Sequence, residues 1–159
     1  MSKPLEWNLE IETKLHKLEV WIQKTIPKNK KHIFVRALFN EAAFNQYCQI
    51  KPNEVCYLDK IKDLETYGDA VLDLIVCKMI FHSHEKSENM TDTKKKYVEN
   101  SFLNRSGSSF LQEIAIIRNY SSEDQSSYAN VLEQLIGAMF EVFGLRFTTR
   151  FLKENKIIE

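Results

Sequence analysis

An all-α fold is what this chain of 159 residues predicts, and three observations carry that reading. Apolar residues recur at helical spacing through several long segments, so one stripe of each can face a core. Four Gly and three Pro leave little material for hairpins. With 43% hydrophobic residues and ten Phe, the chain can fill one well-packed domain spanning 1–159 and is too short for two ordinary ones.

The first helix is expected over Leu5 to Ile26, with Leu9, Leu15, Leu18, Val20, Trp21 and Ile22 as apolar positions and Pro27 as its stop. A second runs from Ile33 to Tyr47 and closes at the loop holding Pro52 and Asn53, and a third spans about Leu58 to His82. A charged connector, His84 to Thr91, leads to two shorter helical pieces, Thr93 to Asn100 and Ser108 to Ile117, separated around Ser106 and Gly107. The polar loop Ser121 to Ser127 ends in two serines suited to capping the last helix. That helix is expected to break at Gly144 and resume to about Leu152.

Charge is balanced, 22 basic against 22 acidic residues, so no global positive field draws the chain to a polyanion. Nucleic-acid contact must then be local. Two basic clusters exist: Lys28, Lys30, Lys31 and His32, and Lys94, Lys95 and Lys96 near Arg105. Without interleaved aromatics they suit the backbone of an A-form duplex better than stacked single strands. Cys48, Cys56 and Cys77 are odd in number and lack a C-x-x-C spacing, which points to reduced thiols in an intracellular compartment, cytoplasm or nucleus. No apolar run reaches the roughly 18 residues of a membrane span, so neither secretion nor membrane insertion is expected.

Chemistry concentrates in Leu64-Glu65-Thr66-Tyr67-Gly68-Asp69-Ala70-Val71-Leu72. Glu65 and Asp69 are four apart, so on a helix both carboxylates leave one face about a turn from each other. Like charges so placed cost a few tenths of a kcal/mol and ask for a cation, either a basic side chain or a metal. Gly68 between them costs about 1 kcal/mol relative to Ala, a cost usually returned by close approach of another helix. A second run, Asn130-Val131-Leu132-Glu133-Gln134-Leu135-Ile136-Gly137-Ala138, places Asn130 and Glu133 on one face beside Gly137. If the two glycine-bearing helices cross, Glu65, Asp69, Asn130 and Glu133 converge into a pocket of hard oxygen ligands suited to Mg²⁺ or Mn²⁺. Taken alone, a Glu-Asp pair at this spacing is usually a solvated face or an ion-pair acceptor, and the second motif is what raises the metal reading above that. Asp73 reads as a surface or supporting position, Asp63 as solvated, and His82 and His84 as surface histidines.

The two runs, in this order, resemble the signature helix and second acidic motif of the ribonuclease III endonuclease domain, which is all-helical. Arg36-Ala37-Leu38 with Ala43-Phe44-Asn45 is similar to the family's early helix, and Phe102 to Ile116, with Asn104 and Phe110, to the stretch between the motifs. The resemblance covers about residues 30–153, most of one domain, with 1–29 as an N-terminal helix. It implies a metal-dependent endoribonuclease in which Glu65, Asp69 and Glu133 bind or orient Mg²⁺, with Mn²⁺ able to substitute. Asn130 stands where the family more often has Asp, which keeps an oxygen ligand and loses one charge. The implied substrate is double-stranded RNA. A homodimer, or a heterodimer, would cut it into 5′-phosphate and 3′-hydroxyl ends with short 3′ overhangs.

The chain departs from the family at two further positions. Lys62 replaces an acid of the bacterial members, and Thr66 replaces the Phe that commonly helps form the dimer interface, leaving Tyr67 as the candidate to insert into a partner. The double-stranded-RNA-binding domain that most of the family carries is not expected in residues 153–159. Asn130, Lys62 and the neutral net charge favour a second reading, in which the same fold serves as a catalytically inactive RNA-binding or structural subunit of an RNA-processing or ribosomal complex.

Overall fold

Trp7, Ile11, Leu15, Leu18 and Ile22 repeat every three or four residues along α1 (Lys3–Ile22), and all five are buried. The computed structural model describes residues 3–51, 63–83, 87–98, 109–118 and 126–158, and no strand occurs among the described residues. α1 stops four residues short of the expected Ile26. Gln23 adopts a left-handed conformation (φ 53°), and the Glu19 carboxylate accepts the Ile26 N–H at 2.9 Å, which swings Ile26 into the core at 1% exposure.

The single helix expected over Ile33–Tyr47 is two helices, α2 (Lys31–Leu38) and α3 (Glu41–Ile50). Phe39 between them is extended (φ −91°, ψ 135°) and forms a parallel bridge with Ile116. Ile116 N–H donates to Leu38 O at 2.7 Å and Asn40 N–H to Ile116 O at 3.1 Å. Asn40 then caps α3 by accepting the Ala43 N–H at 3.0 Å. The same bridge ends the helical stretch 109–114 earlier than the expected Ile117, because residues 115–118 run extended.

α4 (Leu64–His82) begins after Asp63, which is left-handed (φ 60°), so the expected start near Leu58 falls outside the described residues. α5 (Ser87–Val98) starts ahead of the expected Thr93. Lys94 on it pairs with Asp73 of α4 at 2.9 Å, which gives Asp73 a structural partner. α6 (Ser126–Glu154) breaks at Gly144 as expected (φ 84°, ψ 177°). Residues 131–139 of α6 are buried without interruption because both α2 and α4 pack on it. Trp21 Nε1–H donates to Asn155 Oδ1 at 2.8 Å and so fastens the end of α1 to the end of α6.

Candidate active site

α4 and α6 touch backbone to backbone where Gly68 meets Gly137. A Cβ on Gly68 would stand 1.6 Å from the Glu133 carbonyl oxygen, and one on Gly137 2.9 Å from the Leu64 carbonyl oxygen. No side chain fits there. The glycine-bearing helices cross as the two motifs predict, and Glu133 is thereby set against the turn of α4 that carries Glu65 and Asp69.

Glu133 is only 5% exposed and accepts no hydrogen bond from a described residue. Burial first, then the Asp69 and Glu65 carboxylates, push its pKa up to about 8. Glu65 is pushed up as well, by burial, then by Glu41 and Asp69, with Arg36 pulling the other way. No fully buried side-chain oxygen among the described residues lacks a partner, so the Glu133 carboxylate keeps its edge open to solvent; facing two more carboxylates, it forms a ligand set that favours a cation, and oxygen donors suit Mg²⁺ or Mn²⁺.

Half-buried Asn130 shares with Glu65 a cavity of about 520 Å³, whose walls also include Arg36, Asn40, Glu41 and Gln134. Asp69 and Glu133 lie outside that lining and reach Glu65 electrostatically, through the crossing. Among the described residues, no three Asp, Glu, His or Cys side chains already close around one point.

Three charged residues of this cavity, Arg36, Glu41 and Asp63, are not predicted as site residues, and the first two are paired. Arg36 Nη1 donates to Gln134 Oε1 at 3.0 Å and Nη2 to Glu41 Oε2 at 3.2 Å, while the guanidinium lies over the Phe44 ring, 3.9 Å from its centroid. Burial lowers its pKa and Glu41 opposes the shift. The result is a planar cation held from several sides beside Glu65. The signal that could have found the pair is Asn40-Glu41 read as a helix start, which places Glu41 on the first turn of α3 at the cavity mouth. Asn40, though it lines the cavity, is occupied as a clamp: its Oδ1 accepts the Arg118 N–H at 3.2 Å and its Nδ2 donates to Arg118 O at 3.1 Å.

The remaining predicted residues are scattered. Tyr67 is 38% exposed, donates its hydroxyl to Glu141 at 3.0 Å and meets Phe140 edge-on. Lys28, Lys30, His32 and Lys95 are exposed, Lys31 and Lys94 are half-buried, and His82 is exposed away from the acids. Lys62, His84 and Arg105 lie outside the described residues.

Fold and site together define an all-α domain in which carboxylates gather where two glycine-bearing core helices cross. The sequence matches the Ribonuclease III domain over residues 62–144, more than half of the chain, and the chain belongs to that family. It is 32% identical over 94 residues to Ribonuclease 3 of Mycoplasma genitalium, a match that covers 57% of this chain and 36% of the relative's length. The fold is shared with the nuclease domain of ribonuclease III from Campylobacter jejuni, a structure described for flexibility in a region involved in dimer formation. That likeness has a TM-score of 0.68 at 22% identity and covers 89% of this chain and 94% of the other.

Proposed function

We propose that the chain is a metal-dependent endoribonuclease that cuts double-stranded RNA as a homodimer, leaving 5′-phosphate and 3′-hydroxyl ends with short 3′ overhangs. The observation that carries this reading is Glu133, a largely buried residue held by the helix crossing against the Asp69 and Glu65 carboxylates, which with burial push its pKa up to about 8. The oxygens of Glu65, Asp69, Asn130 and Glu133 would hold Mg²⁺, or Mn²⁺ in its place, which supplies a hydroxide near neutral pH and neutralises phosphate charge. Glu133 gives up a proton as it becomes a ligand. Arg36, fixed next to Glu65, softens the repulsion that an incoming phosphodiester meets from the carboxylates.

Dimerisation is supported by α4 itself. Tyr67, Leu74 and Phe81 stand exposed at seven-residue intervals, so they form one apolar stripe on the solvent side of that helix, bordering α6 at its Tyr67 end. A second copy related by a two-fold axis would cover it and supply the second cut of a staggered break. Cys48 and Cys77 form no disulfide, in keeping with a reducing intracellular compartment, and no described helix is long and apolar enough to cross a membrane.

Asn130 favours one other reading, an inactive subunit of an RNA-processing complex, because a neutral amide weakens the cation site. Incubating the protein with a long RNA duplex and Mg²⁺, Mn²⁺ or EDTA separates the two. Metal-dependent shortening supports the nuclease, whereas binding without cleavage supports the inactive subunit.

A further inference from the structure

Beyond the Gly144 break, α4 and α6 border a second cavity of about 850 Å³ that none of the four acid-site residues lines. Its floor is apolar, with Ile75 and Met79 from α4 and Leu145 from α6. Its rim is cationic. α4 contributes Lys78, with the His82 imidazole four residues on, and α6 contributes Arg146, Arg150 and Lys153 at i, i+4 and i+7, so both helices line the rim and most of its positive charge lies on α6.

Glu154 is the one acid in the lining, and its contact with Arg150 is long, 3.9 Å, between side chains 64% and 67% exposed. Such a pair neutralises little. Lys78, Arg146 and Lys153 make no hydrogen bond or ion pair with any described residue. In a chain with a formal net charge of zero, a furrow with an apolar floor, rimmed by Lys78, Arg146 and Lys153 without partners among the described residues and by Arg150 with only a long contact to Glu154 and a ring contact to Phe147, is a local excess of positive charge that folding uses little.

We propose that this groove docks an acidic amphipathic helix of a partner protein. Apolar side chains at i, i+3, i+4 and i+7 would fill the floor, and Asp or Glu on both flanks would meet the cationic rim. A phosphate backbone would use the cations and leave the apolar floor without a counterpart, so charge and floor together favour a peptide over RNA. The groove adjoins the Tyr67, Leu74 and Phe81 stripe without coinciding with it: Ile75, Met79 and His82 lie about 80–140° around the helix from Leu74, and Lys78, about 40° from it, stands on the border between the two.

The probe is a fluorescein-labelled peptide about 18 residues long, five helical turns, with Leu at i, i+3, i+4 and i+7 and Glu elsewhere, titrated with the full chain. Saturable binding is expected, weakened at least about tenfold by the double reversal Arg146→Glu/Arg150→Glu and likewise by Lys78→Glu/Lys153→Glu, with circular dichroism unchanged. The peptide with Lys in place of Glu should not bind, and Glu133→Gln should leave binding intact. Absence of saturable binding, wild-type affinity in either reversal variant, or displacement of the peptide by an RNA duplex would overturn the proposal. So would a shift of the reversal variants from dimer to monomer in sedimentation, which would assign the groove to a second copy.

Discussion

The two ends of the α4 and α6 pair carry opposite chemistry. Around the Gly68 and Gly137 contact the pair presents Glu65, Asp69, Asn130 and Glu133, whereas beyond Gly144 it presents Lys78, His82, Arg146, Arg150 and Lys153. The difference lies in how closely the backbones approach. At the glycine contact there is no room for side chains between the helices, so Glu133 is desolvated against like charges and its pKa rises to about 8. Past the kink the helices leave a cavity of about 850 Å³, and like charges spread around its rim. Close approach concentrates charge until a cation is needed, and an open furrow leaves the charge to a partner.

The strongest way to break this comparison is to force the contact apart. Gly68→Ala places a Cβ 1.6 Å from the Glu133 carbonyl oxygen, and we expect it to cost about 3 kcal/mol or more and to abolish cleavage. Gly144→Ala meets nothing within 4 Å but must hold φ +84°, so about 1–3 kcal/mol is expected, with the acidic end intact. Thermal melting of the two variants tests the contrast, and equal losses would remove the special status of the crossing.

Glu133→Gln should lower cleavage by at least about a hundredfold while duplex binding persists, and a variant cutting at the wild-type rate under saturating Mg²⁺ would exclude Glu133 from the site. The same residue sharpens the comparison through pH. Its folded-state pKa, about 8, lies above the ordinary 4.5, so between those values the folded protein holds a proton that the unfolded chain has lost. Stability from this group is therefore complete below about pH 4 and drains away as pH rises toward 8, by at most about 1.4 kcal/mol per pH unit. Metal-free wild type should lose melting temperature relative to Glu133→Gln across that window, and parallel pH profiles would show that Glu133 ionises without penalty.

Tyr67→Ala removes an exposed ring and its bond to Glu141, and it should weaken self-association by about tenfold and turn staggered double-strand products into nicks. Sedimentation of the wild type as a monomer, with double-strand cutting unimpaired, would contradict that arrangement. The smallest effect is expected for Asn130→Asp. A further carboxylate in the Glu65 cavity should lower the Mg²⁺ concentration for half-maximal cleavage, and a raised or unchanged requirement would count against ligation at this position.

Several of these features are legible in the chain itself. The apolar period of α1, the two glycines flanked by acids, and the break at Gly144 are local signals, because side-chain direction in a helix follows from spacing and a left-handed turn follows from glycine. The four ligand candidates can be chosen for the same reason. Each pair shares a helical face, and small residues mark where another helix can come close.

What local spacing does not hold is which face meets which, and those outcomes depend on contacts between distant parts of the chain. The break after Leu38 has no glycine or proline to announce it, and it exists because Phe39 pairs with Ile116 and Asn40 is clamped by Arg118. Arg36 on α2 and Glu41 on α3 are paired across that break, and both then act on Glu65 of α4. By itself the sequence determined the helices, their faces and the acids. The tertiary structure decided the split of the second helix, the fixed cation at the site, the proton on Glu133 and the basic groove, because desolvation and charge proximity arise only when separate helices are packed together.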